Sequence, residues 1–326
     1  MPKVELHCHL DGCLRLETAA DIAGETGTPV PGALREALIA PEVCADLGDY
    51  LTRIDLALSL LQRPQDLRRA ARELAEDMAR DGVVYGEVRF APQLHTRAGL
   101  DLPEVLAAVH AGLQEGSRAH GVRLGLIVCA LRHQPAPIGL EVARLAAARR
   151  DQVCALDLAG DEGRFPDCTP HGPAFAVARD AGLHLTAHAG ENAGAESVRG
   201  ALDVLGVRRI GHGVRVEEDP DLVSRVIEEE IALDMCPRSN VQTRAVAGLG
   251  VHPIDRLRRR GAAVTVSTDG RTLSETTVTD ELLRLRDFFG WGLDELRECQ
   301  RHAARAAFAP QDVREDLLRR IDAVPA

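Results

Sequence analysis

The sequence predicts an α/β fold: a TIM-like (β/α)8 barrel with an extra helical insertion after the first strand. Three observations carry that expectation. Eight short apolar runs alternate with helix-length segments, the signature of a parallel sheet with crossover helices. At 326 residues the chain is long enough for one such barrel. Polar residues punctuate the carboxyl end of run after run, the face on which barrels of this kind build their sites. No linker or low-complexity stretch interrupts the series, so residues 1–326 are expected to form a single domain.

Taken in order, the first run spans about 3–9 and ends in His7-Cys8-His9. A long polar and helical region follows, to about Arg80. Within it Leu47, Tyr50, Leu51 and Ile54 share one face of a helix read over 47–54. That face suits either core packing or a hydrophobic flap over the mouth of a site. Strands are then expected near 83–91, 123–131, 154–158, 184–188, 209–213, 231–235 and 263–267. Helices are expected after 102 and near 138–150, 170–181, 195–205, 253–260 and from 279 onward.

Composition narrows the function. Aromatic residues make up only 3% and the net charge is −11, which argues against base-stacking platforms and against binding a phosphate backbone. Nucleic acid is not an expected partner. The only lysine is Lys3, so neither a Walker-type phosphate loop nor a Schiff-base lysine can be built. Eight cysteines show no Cys-x-x-Cys pair and several lie in apolar runs, which suits reduced thiols. With no signal-like segment and no apolar run of membrane-spanning length, a cytoplasmic protein without a membrane partner is expected.

In an extended strand, residues two apart point to one face, so His7 and His9 aim both rings at one point. Further polar groups close later runs: Asp157 to Glu162, His188 to Glu191, His212 between two glycines, and Ser267-Thr268-Asp269. Three imidazoles and one carboxylate suit a borderline-soft cation, which makes His7, His9, His188 and Asp269 the expected ligands of one Zn²⁺. Glu191, three residues beyond His188, is placed to pass a proton between water and substrate. His212 is placed to orient the nucleophile and stabilise developing charge.

The ordered set of His-x-His-Leu-Asp-Gly, Asp-Leu-Ala-Gly-Asp-Glu, His-Ala-Gly-Glu, Gly-His-Gly, Cys-Pro-x-Ser-Asn and Ser-Thr-Asp resembles the adenosine deaminase family of the amidohydrolase superfamily. The resemblance runs from residue 4 to about 285. It implies a zinc hydrolase of purine metabolism that acts on the C–N bond of a cyclic amidine, converting adenosine and 2′-deoxyadenosine to the inosine products and ammonia. It further implies that Glu191 protonates ring N1, that the Gly160 N–H meets ring N3, and that Asp11 binds the ribose 5′-hydroxyl. The 47–54 helix resembles the family's hydrophobic gate.

One position departs from the pattern. The family usually carries a second aspartate after the metal-binding one, against purine N7, where this chain has Gly270. Either a water or a neighbour such as Arg271, which can donate to an N7 lone pair, replaces that contact, or the base preference has drifted. Rival readings are a deaminase of adenine or of an aminofutalosine-like nucleoside, and a catalytically silent barrel. Asp11 favours a sugar hydroxyl, since adenine-specific members tend to carry glutamate there. A two-metal site bridged by a carboxylated lysine is excluded by the position of Lys3.

Overall fold

A computed structural model describes residues 1–325. Eight parallel strands lie side by side in chain order: β1 (Lys3–His9), β2 (Val83–Phe90), β3 (Arg123–Leu131), β4 (Ala155–Ala159), β5 (His184–Ala189), β6 (Arg209–His212), β7 (Ala232–Met235) and β8 (Val264–Val266). Every neighbouring pair is parallel. The ring closes where the His9 N–H donates to Asp269 O at 2.7 Å and the Asp269 N–H donates to His7 O at 3.0 Å. The expected TIM-like barrel is what the chain forms.

Helices cover the outside of the sheet because the apolar runs leave one set of side chains facing outward to be buried. The helix Leu102–His120 shows the local logic. Asp101 and Glu104 form a reciprocal capping box at its start, and Gly121 ends it in the left-handed conformation. The segment expected as a helix over 195–205 is α-helical only to Gly200 and widens into a π turn over Ala201–Leu205.

The insertion after β1 contains helices Leu16–Thr26, Leu34–Leu38, Leu47–Thr52, Asp55–Leu60 and Pro64–Arg80. The helix read over 47–54 therefore stops at Thr52. The N–H groups of Arg53 and Ile54 turn back to Tyr50 O and Leu51 O, both at 3.1 Å, and a new helix starts at Asp55. Those tight turns break the helix yet keep Ile54 beside Leu51.

Inside the barrel the filling is ionic. Glu87, Arg89, Asp157, Arg209 and Asp234 are all fully buried or nearly so. They survive there because they are paired. Arg89 donates to Asp157 at 3.0 Å, and Arg209 reaches Asp234 at 2.9 Å while also contacting Glu87. At the amino-terminal end, the ring of Phe308 closes the floor 3.6 Å beneath the Arg209 guanidinium.

Candidate metal and proton-transfer site

Four side chains from three strand ends converge at the carboxyl end of the barrel. His7 and His9 project from β1, His188 from β5, and Asp269 from the turn after β8. Their ligating atoms all lie within 4.8 Å of one another. His7 Nε2 and His9 Nε2 are each 3.0 Å from His188 Nε2, and Asp269 Oδ1 is 3.2 Å from His7 Nε2 and 3.5 Å from His9 Nε2.

Hydrogen bonds among the rings do not account for this arrangement. Burial pushes His9 down to about 3 and holds His7 well below the usual histidine range, so both rings are neutral at pH 7. A proton on His188 Nδ1, facing Asp157, leaves its Nε2 as a lone pair 3.0 Å from the other two rings. His188 is oriented from behind, with Nδ1 3.1 Å from Asp157 Oδ2, which leaves Nε2 aimed into the cluster. Burial works against the Asp157 carboxylate, but His188 and Arg89 outweigh it and hold its pKa well below the ordinary value. Lone pairs facing one point beside a carboxylate fit a cation held by His7, His9, His188 and Asp269, with Asp157 as the partner that fixes one ligand's orientation.

Two of the site's turns are strained. His212 and Asp269 hold left-handed φ values of 64° and 67°, a region costly for residues with a side chain and common at functional sites. The strain aims both side chains into one cavity of about 610 Å³. Its wall includes His9, Asp11, Gly160, His188, Glu191, His212 and Asp269.

Glu191 lies opposite His212, with Oε2 3.6 Å from His212 Nε2. Burial drives the Glu191 carboxyl well above the carboxylate range, and the negative charges of Asp269 and Glu162 push the same way. Glu162 shapes the loop that carries it. Its carboxylate accepts the N–H groups of Gly190 (2.7 Å), Glu191 (2.9 Å), Asn192 (2.9 Å) and Ala193 (3.0 Å). Asp11 is buried in the cavity wall, where desolvation raises its pKa to about 6. Gly160 holds φ +106°, so its wall position requires glycine.

Leu47, Tyr50, Leu51 and Ile54 all line the cavity, although the helix carrying the first three ends before Ile54. The Tyr50 hydroxyl lies 2.7 Å from Ser274 Oγ and 3.4 Å from Asp269 Oδ2. Arg271 corrects an expectation. Its side chain points away from the cavity, buried in ion pairs with Glu5 (Nε at 3.1 Å) and Asp81 (Nη2 at 3.1 Å). Two carboxylates behind the turn outcompete an apolar cavity for a guanidinium, so Arg271 does not stand in for the side chain missing at Gly270.

Several residues were not singled out from sequence. Asp157, Glu162, Ser239 and Asn240 sit inside the quoted motifs and work from behind the wall, and Ser239 Oγ donates to Asp269 Oδ2 at 2.7 Å. His133 lines the cavity, and His252 supports Asn240, yet nothing in their local spacing marks them. β3 contributes Cys129 and Leu131 to the wall, whereas no β7 residue lines it.

A family model described as adenosine deaminase matches residues 2–324. An adenosine deaminase of Enterococcus faecalis is 40% identical over 99% of this chain and 96% of its own length. One from Mycobacteroides abscessus is 42% identical over 97% of this chain and 93% of its own. Among solved structures, an adenine deaminase from Arthrobacter aurescens superposes with a TM-score of 0.92 at 31% identity, covering 98% of both chains. A match that runs almost end to end and takes in every strand end contributing to the cavity leaves one conclusion: the chain belongs to the adenosine deaminase family.

Proposed function

We propose that this protein is a zinc-dependent hydrolase that deaminates adenosine and 2′-deoxyadenosine, using one Zn²⁺ per chain in a single cytoplasmic domain. The observation that carries the reading is the meeting of His7, His9, His188 and Asp269 within 4.8 Å, the last three of them on the wall of the cavity that also holds Glu191.

Bound by those four groups, zinc supplies the Lewis acidity that makes water a competent nucleophile at neutral pH. The residues do the rest. Asp11 takes the ribose 5′-hydroxyl, and the Gly160 N–H meets ring N3. Glu191, kept protonated by burial, gives its proton to ring N1, which drains electron density from C6. A hydroxide oxygen, whose other proton has gone to solvent, adds to C6, and His212 donates a hydrogen bond to it as charge develops. Glu191, now a carboxylate, moves the hydroxyl proton of the adduct to N6. The C6–N6 bond breaks, ammonia leaves, C6 becomes a carbonyl, and solvent reprotonates Glu191. Leu47, Tyr50, Leu51 and Ile54 screen the base from water.

A second reading has its own support. The solved neighbour at 31% identity is an adenine deaminase, so adenine is the alternative substrate. Asp11 favours the nucleoside, because its carboxyl suits a sugar hydroxyl where adenine-specific members tend to carry glutamate.

The test is ammonia release by zinc-loaded protein from adenosine, 2′-deoxyadenosine and adenine, with metal content measured alongside. The two nucleosides are expected to turn over, chelation to abolish turnover, and added zinc to restore it. Glu191→Gln is expected to lower kcat by about 10²–10⁴ with zinc content unchanged. A zinc-loaded protein inert toward all three compounds overturns the proposal.

A further inference from the structure

Behind His212 runs a chain of buried polar groups whose hydrogen-bond directions are set by backbone donors. It starts at a backbone donor: the Ile254 N–H points at His252 Nδ1 at 3.2 Å, so that nitrogen is an acceptor. In a neutral ring the proton then sits on Nε2. Burial pushes His252 down to about 3, so the ring is neutral. His252 Nε2 therefore donates to Asn240 Oδ1 at 3.2 Å, and the Cys236 N–H donates to the same oxygen at 3.3 Å. Two donors on one atom fix which end of the Asn240 amide is the carbonyl. Its NH₂ end is then forced toward His212 Nδ1, 3.0 Å away. His252 and Asn240 are fully buried, so water does not compete for any of these groups.

We propose that Asn240 and His252 are positioning residues that lock His212 in the tautomer with its proton on Nε2, so that His212 meets the reaction as a hydrogen-bond donor and not as a base. Asn240 contributes nothing else to the cavity wall. Its role is to transmit the direction of two backbone N–H groups to a ring it does not share with substrate. His212 reaches the site by closing β6; the orientation of its proton is a separate property, set 28 residues away by Asn240. It also explains why a helix begins at Pro237 directly after β7: the turn from Cys236 brings Asn240 back under its own N–H.

The experiment uses zinc-loaded protein with ¹⁵N-labelled histidine, in which the two ring-nitrogen shifts report the tautomer of His212. Wild type is expected to show a pyrrole-type Nε2 and a pyridine-type Nδ1. Asn240→Asp keeps the shape, and measured above the titration of the new carboxyl its second oxygen can only accept, which moves the proton of His212 to Nδ1. The expected result is reversed shifts, kcat lower by about 10²-fold, and KM and zinc content within threefold of wild type. Because a buried carboxylate can unfold the chain, His252→Phe is measured in parallel. It removes one of the two donors on Asn240 Oδ1, and a mixed tautomer with an intermediate fall in kcat is expected. Wild-type shifts and kcat within threefold of wild type in a folded variant overturn the proposal. The kinetic readout rests on the deaminase reading, whereas the ¹⁵N readout does not. Reversed shifts in a protein inert on every 6-aminopurine would therefore sink that reading and support this one.

Discussion

His95 and His188 differ in their surroundings far more than in their sequence context. His188 ends β5 among charged groups. His95 is fully buried after β2, with Nδ1 2.8 Å from Leu61 O and Nε2 without a partner. Burial pushes the His95 pKa down to about 4, against about 6.5 in an unfolded chain. A depressed histidine contributes stability that is present above the unfolded pKa and lost as pH falls from 6.5 toward 4, because only the unfolded chain takes up the proton. Between pH 7 and pH 5 the loss from this ring is about 2 kcal/mol. Urea unfolding of zinc-loaded protein at the two pH values should show wild type losing about that much more than His95→Gln; equal losses would contradict it. Sequence could not mark this ring or His252, because neither closes a strand. His7, His9, His188 and His212 were legible because each lies in the last residues of a strand. Arg271 was misread for a related reason: adjacency to Asp269 placed its backbone at the site, but Glu5 and Asp81 decide where its side chain goes.

At the scale of elements, strands were legible nearly to the residue, since apolar runs bounded by turn signals leave little choice of register. The gate was less so. Its periodicity continues to Ile54, while the helix ends at Thr52, because apolar spacing reports which side chains face the cavity and not whether the backbone between them is unbroken. Nor could the sequence show how close the turns after β1 and β8 come. The Thr272 and Leu273 N–H groups both donate to Gly12 O, at 3.0 and 2.9 Å. A Cβ on Gly270 would stand 3.0 Å from Gly12 O and 3.2 Å from Gly12 Cα. A side chain at 270 therefore requires the backbone of the seam to give by a few tenths of an ångström. Gly270→Asp and Gly270→Ala should both push the Gly12 turn, and with it Asp11, destabilising the fold by about 1–3 kcal/mol. Both should raise KM for adenosine more than they lower kcat. Steady-state kinetics with thermal unfolding checks this, and a large fall in kcat at unchanged KM would contradict it.

At the scale of the whole molecule, the barrel divides its labour between ends, as others of its shape do. The carboxyl end carries strained turns and convergent ligands, and the amino end carries closure. Phe308 seals that floor. Its ring stacks on His184 at a centroid distance of 4.6 Å and lies under Arg209, and its N–H donates to Glu87 Oε1 at 2.6 Å. His184 opens β5 and His188 lies four residues on, so floor and site are separated by about 13 Å of strand. Arg209 does not depend on Phe308 for its position, since Glu87, Asp234 and Ala306 O also hold it. Phe308→Ala should therefore cost about 3–5 kcal/mol, by leaving a cavity and admitting water to the buried ions, while the Arg89–Asp157–His188 line stays in place. Thermal unfolding together with kcat at a temperature well below the transition separates the two effects. A lower Tm with kcat within twofold of wild type is expected. A drop in kcat at unchanged Tm would mean that the floor tunes the site through its ion pairs rather than closing the barrel.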